Sequence, residues 1–100
     1  MNLSKEGYSI VLSSLNNVLG YPMGDNIETE VGVNKETVSS LHDKVIKNQG
    51  YQVNNDEAKI IIRCLDACLK HIDAWEFNAI FEYDKETVEA FYKKFKETYI

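Results

Sequence analysis

The segment Lys35-Glu36-Thr37-Val38 recurs unchanged as Lys85-Glu86-Thr87-Val88, 50 residues further along a chain of 100 residues. Outward from this pair, and without any gap, apolar positions of the first half fall on apolar positions of the second, and eight of 50 positions are identical. Similarity at a fixed spacing indicates that one structural unit occurs more than once. The sequence therefore predicts a single domain, 1–100, built from two repeat units that cover 1–50 and 51–100.

Helix-start signals accompany the repeated segment in both halves. Asn34 and Asp84 stand directly before it, and short polar side chains of this kind cap the free backbone N–H groups at a helix N-terminus. Ser4 is expected to cap the first helix of the first half, and Asn54 with Glu57 predicts a capping box in the second half. Each half is therefore predicted to contain a first and a third helix.

A shorter helix is predicted between the two longer ones in each half. Asp25 with Glu28, and Asp73 with Glu76, have the spacing of capping boxes, and Gly32 marks the end of the first short helix. No segment alternates between apolar and polar residues for long enough to indicate a strand. The predicted fold class is all-α, with six helices arranged as two duplicated three-helix units.

The charge of the chain narrows the choice of partner. Sixteen Asp and Glu residues against 11 Lys and Arg residues leave a net charge of -5 and a pI near 4.9. An acidic domain repels phosphate backbones and attracts basic proteins, so nucleic acid is not the expected partner. Without a recognisable secretion signal or a stretch of membrane-spanning length, we expect a cytoplasmic protein that does not enter the membrane.

The stretch from Glu28 to Ser39 resembles the helix-turn-helix pattern, with Gly32 in the turn and an apolar residue after it. The resemblance implies a tri-helical packing geometry, and it makes a transcription regulator one alternative function. The second half departs from the pattern, since Glu82 stands where Gly32 does. The helix after the turn offers Glu36 and serines where readers of DNA present Arg, Lys, Asn or Gln. The resemblance therefore bears on the fold more than on DNA binding.

The sequence contains no recognisable set of catalytic or metal-binding residues. Cys64, Cys68 and His71 share one face of the helix after Asn54 and could in principle hold a soft metal ion, but a fourth ligand is not evident. Two buried, reduced thiols and a histidine at a helix C-terminus explain the same residues. Nucleophile–base pairs and glycine-rich phosphate loops are not found either. We therefore expect no enzyme, no metal and no cofactor.

Acidic residues gather where each half passes from its short helix into its third helix. Caps and helix dipoles account for several of them, whereas Glu30, Glu82 and Glu89 have no such local role. Trp75 is flanked by acids and is expected either to be an exposed interface anchor or to cover the core from the side. The predicted partner-binding residues are Glu30, Glu36, Trp75, Glu76, Glu82, Asp84, Glu86 and Glu89.

In size, charge and lack of a catalytic signature, the chain resembles the small acidic bacterial immunity proteins that neutralise nuclease or other toxin domains. The resemblance rests on the acidic stretches 25–36 and 73–89. It implies a non-enzymatic inhibitor whose acidic surface lies over the active cleft of a basic toxin or nuclease domain. Besides a transcription regulator, the alternative is an adaptor or oligomerisation module that uses Trp75. The oligomeric state is left open.

Overall fold

The computed structural model describes residues 4–20, 27–47 and 53–99, and these residues form six α-helices and one turn of 3-10 helix. In chain order the elements are α1 (Lys5–Leu19), α2 (Ile27–Val31), α3 (Lys35–Lys47), α4 (Asn55–His71), the 3-10 turn (Ala74–Glu76), α5 (Phe77–Phe81) and α6 (Lys85–Tyr99). The described ranges contain no strand, which confirms the all-α prediction. None of these helices has the length and apolar character needed to cross a membrane.

Side-chain caps open the first helix of each half as the sequence predicts. The Ser4 hydroxyl accepts a hydrogen bond of 3.0 Å from the backbone N–H of Gly7. At α4 the capping box is complete: the Glu57 N–H donates to the Asn54 side chain at 2.8 Å, and the Asn54 N–H donates to the Glu57 carboxylate at 3.1 Å. Both helices thus start with part of their free N–H groups satisfied locally.

The third helices begin in the same way, and both predicted caps are confirmed. Asn34 accepts a hydrogen bond from the backbone N–H of Thr37 at 2.9 Å, and Asp84 accepts one from the backbone N–H of Thr87 at 2.8 Å. The repeated Lys-Glu-Thr-Val segment is therefore the first turn of α3 and of α6. Its threonine donates the capping N–H in both helices.

The predicted capping box of Asp73 and Glu76 is wrong. Neither side chain makes a cap hydrogen bond; instead the backbone N–H of Glu76 donates to the carbonyl of Asp73 at 2.9 Å. A 3-10 turn bonds each N–H three residues back, so the backbone itself satisfies donors that a carboxylate would otherwise bind. The turn then continues directly into α5 at Phe77. Asp25, predicted to cap the first short helix, lies outside the described residues.

The core is shared between the halves, and α4 is central to it. α4 packs against α1, α2 and α6, while α1 packs against α3, α4 and α5. The short helix of each half therefore lies on the first helix of the other half. The largest fully buried side chains come from both halves: Ile10, Val11, Leu15, Val18, Val31, Val38, Val45, Ile61, Leu65, Phe77, Phe81 and Phe95.

The spacing of 50 residues extends from the sequence to the backbone. α2 and α5 begin and end 50 residues apart, and α3 and α6 begin 50 residues apart. The residue after each short helix takes the left-handed conformation, with φ of 86° at Gly32 and 64° at Glu82. A common origin of the two halves and helix-turn-helix-like packing within them stay predictions.

Candidate protein-binding surface

Trp75 is the most exposed large apolar residue among those the structure describes. It is 79% exposed, followed by Ile46 at 51%. Two residues later Phe77 is fully buried and stacks on Phe81, with ring centroids 5.3 Å apart. The 3-10 turn thus keeps the indole outside the core while the start of α5 enters it. The interpretation of Trp75 as a cover of the core is wrong.

The net charge of the protein lies in one stretch, residues 73–89, which we call the acidic segment. It contains six acidic residues and one lysine, a net charge of -5, while the other 83 residues carry ten of each sign. The lysine, Lys85, is partly buried, with its Nζ 6.0 Å from the centroid of the Phe77 ring. Its charge therefore lies over an aromatic face, and it forms no ion pair with another described residue.

The carboxylates of the acidic segment differ in how far the fold uses them. Asp84 caps α6. The pKa of the Asp84 carboxyl lies below its ordinary value, mainly because the side chain of Thr87 donates a hydrogen bond to it, and also because the backbone N–H of Thr87 does. Glu89 caps no helix but lies 3.4 Å from Lys93 one turn on, so its carboxylate has an ion-pair partner. Glu82 and Glu86 are exposed and form no ion pair with any described residue.

The acids of the first half are held differently. The Glu30 carboxylate lies 2.9 Å from Nε2 of His71, and this hydrogen bond lowers the pKa of Glu30. Glu30 therefore has a structural partner, which the sequence did not indicate, because the fold packs α4 against α2. Glu36 is exposed in the first turn of α3. α2 packs on α4, whereas α5 packs on α1. The predicted residues of the first half therefore belong to the α2–α3 turn and those of the second half to residues 73–89, which form the candidate site.

A groove of about 580 Å³ lies between the first turn of α1 and about the first three turns of α6, and we call it the α1–α6 groove. Its lining residues are Ser4, Glu6, Asp84, Glu86, Thr87, Ala90, Phe91, Lys94 and Phe95. A second groove, of about 370 Å³, lies at the corresponding place between α4 and α3, and six of its lining positions are 50 residues before those of the first. Glu6 was missed in the sequence because an acid in a first helical turn is already explained by the helix dipole.

The cysteines and histidine of α4 do not form a metal site. No group of three or more His, Cys, Asp or Glu within 4–20, 27–47 and 53–99 could hold a metal ion. Cys64 and Cys68 are free and buried, whereas His71 is exposed and bonded to Glu30. Burial raises the pKa of both thiols, that of Cys68 to about 12, so both stay protonated and ligate metals poorly.

The helix with the resemblance to a DNA-reading helix exposes both signs of charge. The exposed charged side chains of α3 are Lys35, Glu36, Asp43, Lys44 and Lys47. Three lysines and two acids make this face mixed in charge, and a role of α3 in reading DNA stays an alternative prediction.

The acidic segment combines an exposed indole with carboxylates that the fold leaves free. An indole loses unfavourable contact with water when a partner covers it, and exposed carboxylates attract and orient a cationic protein surface. The arrangement is suited to binding, and its residues offer no pair of nucleophile and base. Comparisons with protein-family models, with curated proteins and with solved structures found no match to this chain.

Proposed function

We propose that this protein is a non-enzymatic inhibitor that binds a basic protein, in the manner of an immunity protein that blocks a toxin or nuclease domain. The observation that carries the proposal is the exposure of Trp75 within the segment that holds the whole net charge of the chain. In the proposed mechanism this segment lies over a cationic cleft and excludes its substrate without chemistry. The carboxylates take the places that phosphate groups of the substrate occupy in the free enzyme.

Folding alone does not account for the composition of the acidic segment. Trp75 contributes little packing, because four-fifths of its surface stays in water. Glu82 adopts φ of 64°, a conformation that glycine adopts with less strain, and Gly32 stands at the corresponding position of the first half. A side chain here costs about 1 kcal/mol relative to glycine. A role in binding explains why a costly acid and an exposed indole occur together.

The distribution of charge also favours a fast encounter with a basic partner. Six acids within 17 residues create a local negative potential, whereas the rest of the chain is balanced. Such a potential steers a cationic surface toward the site and increases the association rate, most strongly at low salt. A toxin that acts inside the cell that makes it requires an inhibitor that binds quickly, so the charge pattern fits this role.

The test starts from affinity purification in the native cell and continues with the purified pair. A co-purifying basic enzyme should be inhibited stoichiometrically. Trp75→Ala should weaken binding about 30-fold or more without changing the melting temperature, because interface tryptophans contribute about 2 kcal/mol or more and exposed ones little stability. The control is Ile46→Ala, which removes an exposed large apolar side chain outside the acidic segment and should bind like the wild type.

Two pairs of acid-to-lysine substitutions separate the effect of the acidic segment on the association rate from the effect of the net charge of the chain. Glu82→Lys with Glu86→Lys should slow association about tenfold at low salt and flatten its salt dependence. Asp56→Lys with Glu97→Lys changes the net charge equally at exposed positions outside the acidic segment, and it should have a much smaller effect. Equal rates for both double variants would contradict the proposal. Salt-sensitive retention of duplex DNA that is lost in Ser39→Glu would instead support the transcription regulator.

A further inference from the structure

We propose that the α1–α6 groove binds an arginine side chain of the partner. This inference rests on the proposed function, and it names the partner residue that is recognised where the acidic segment enters α6. Its volume of about 580 Å³ is within the range of sites that bind small ligands. Phe91, Phe95 and Ala90 supply the apolar part of its lining. The groove therefore offers space and apolar surface for a side chain and its neighbours.

The aromatic lining of the groove depends on a glycine in α1. A Cβ atom at Gly7 would lie 2.8 Å from Cε1 of Phe91, so the ring lies directly against the backbone of α1. The corresponding residues of the other half are Glu57 and Leu41, and the groove there is smaller, about 370 Å³. The two halves thus share a groove position, but only the one between α1 and α6 has an aromatic lining of phenylalanines.

The charges of the groove are suited to a cation. Glu6 from α1 and Glu86 from α6 are exposed and form no ion pair with another described residue. Asp84 adds a third carboxylate, although it is engaged in capping α6. The described lining also includes one cation, Lys94, which stands eight residues after Glu86 on α6, about two helical turns away. Three acids and one lysine give the described lining a net negative charge.

Arginine fits this combination better than lysine does. Its planar guanidinium stacks on aromatic rings and presents several N–H donors, so it can contact Phe91 while bonding carboxylates that come from two helices. Charge-assisted hydrogen bonds of this kind are shorter and stronger than neutral ones. A lysine ammonium is a compact, strongly hydrated charge and gains less from a half-buried ring.

A titration followed by NMR tests the groove without the partner. The probe is a blocked pentapeptide with arginine at its centre and leucine on both sides; the comparison peptides carry citrulline, which is neutral and of similar shape, or lysine. The arginine peptide should shift the amide signals of the first turns of α1 and α6. The citrulline peptide should bind at least about fivefold more weakly, and lysine should fall between them.

Variants assign the binding to the groove itself. Glu6→Gln with Glu86→Gln should raise the dissociation constant of the arginine peptide about fivefold, and Ala90→Leu should raise it by filling the groove without changing the charge. Glu36→Gln and Ser40→Leu are the matched controls, because they change the corresponding positions of the smaller groove. They should leave the dissociation constant unchanged.

The results separate this inference from the proposed function. Equal binding of the arginine and citrulline peptides, signal changes outside the groove, or unchanged binding by the Ala90→Leu variant would overturn the arginine site. If that happens while Trp75→Ala still weakens inhibition of the partner, the proposed function stands without the groove. If the peptide binds as expected but no basic enzyme is inhibited, the groove retains its preference for arginine and the proposed function is overturned.

Discussion

The turn between α2 and α3 and the turn between α5 and α6 have similar backbones but opposite side-chain surroundings. Both place a left-handed residue after a short helix and a capping residue before a long one. In the first turn the residue is Gly32, and α4 reaches over to hold it: Nη1 of Arg63 donates to the carbonyl of Val31 at 3.2 Å. In the second turn the residue is Glu82, which is exposed.

This difference separates a structural turn from a turn that is available for binding. The acid nearest the first turn, Glu30, is bonded to His71, whereas Glu82 and Glu86 of the second turn have no ion-pair partner among the described residues. The same backbone thus has a paired acid, Glu30, before its left-handed residue in one half and an acid unpaired among the described residues, Glu82, as its left-handed residue in the other, whereas Glu36 and Glu86 are exposed in both. Substitutions at corresponding positions should therefore have opposite effects.

The largest expected effect is at the left-handed residues. Gly32→Ala should lower the free energy of unfolding by about 2 kcal/mol, because an L-residue is strained at φ of 86° and its Cβ would collide with the Arg63 guanidinium. Glu82→Gly, at the corresponding position, should raise it by about 0.5 kcal/mol, because the greater freedom of glycine in the unfolded chain offsets part of the relieved strain of about 1 kcal/mol. Urea unfolding measures both, and destabilisation by Glu82→Gly would contradict the comparison.

A smaller effect is expected at the side chain that reaches the first turn. Arg63→Met should lower the free energy of unfolding by about 1 kcal/mol, because the Val31 carbonyl loses its hydrogen bond while the aliphatic contacts are kept. In the Arg63→Met background, Gly32→Ala should cost less than in the wild type, because the collision is removed. Strict additivity of the two changes would show that Arg63 and Gly32 act independently. Lys59→Met, exposed on the same helix, is the control.

Local signals account for what the sequence predicted correctly. The caps at Asn34, Asn54 and Asp84 bond N–H groups three residues away, so residue type and spacing suffice to find them. The prediction failed at Asp73, where backbone bonds of the 3-10 turn satisfy the donor that its side chain was expected to bind. The exposure of Trp75 depends on that same turn, which is why the sequence left two interpretations open.

Contacts between distant parts of the chain account for what could not be predicted. His71 and Glu30 are 41 residues apart, and Arg63 and Val31 are 32 apart. These pairs form only because each short helix packs on the first helix of the other half, and the pattern of apolar residues within a half does not contain that arrangement. Separating free from engaged carboxylates therefore required the fold.

The smallest expected effect concerns the pH dependence of the first turn. The hydrogen bond to His71 holds the pKa of Glu30 below its ordinary value of 4.5. A carboxyl whose pKa is lower in the folded than in the unfolded state stabilises the fold above pH 4.5 and loses this contribution as the pH falls through the folded value.

The free energy of unfolding should therefore fall less steeply below pH 4.5 in Glu30→Gln than in the wild type. His71→Gln should reduce the slope by less, because Lys70 also lowers the pKa of Glu30 and stays in place, and the double variant should match Glu30→Gln, because His71 acts on this slope through Glu30. An unchanged slope in Glu30→Gln would show that His71 does not hold the acid of the first turn.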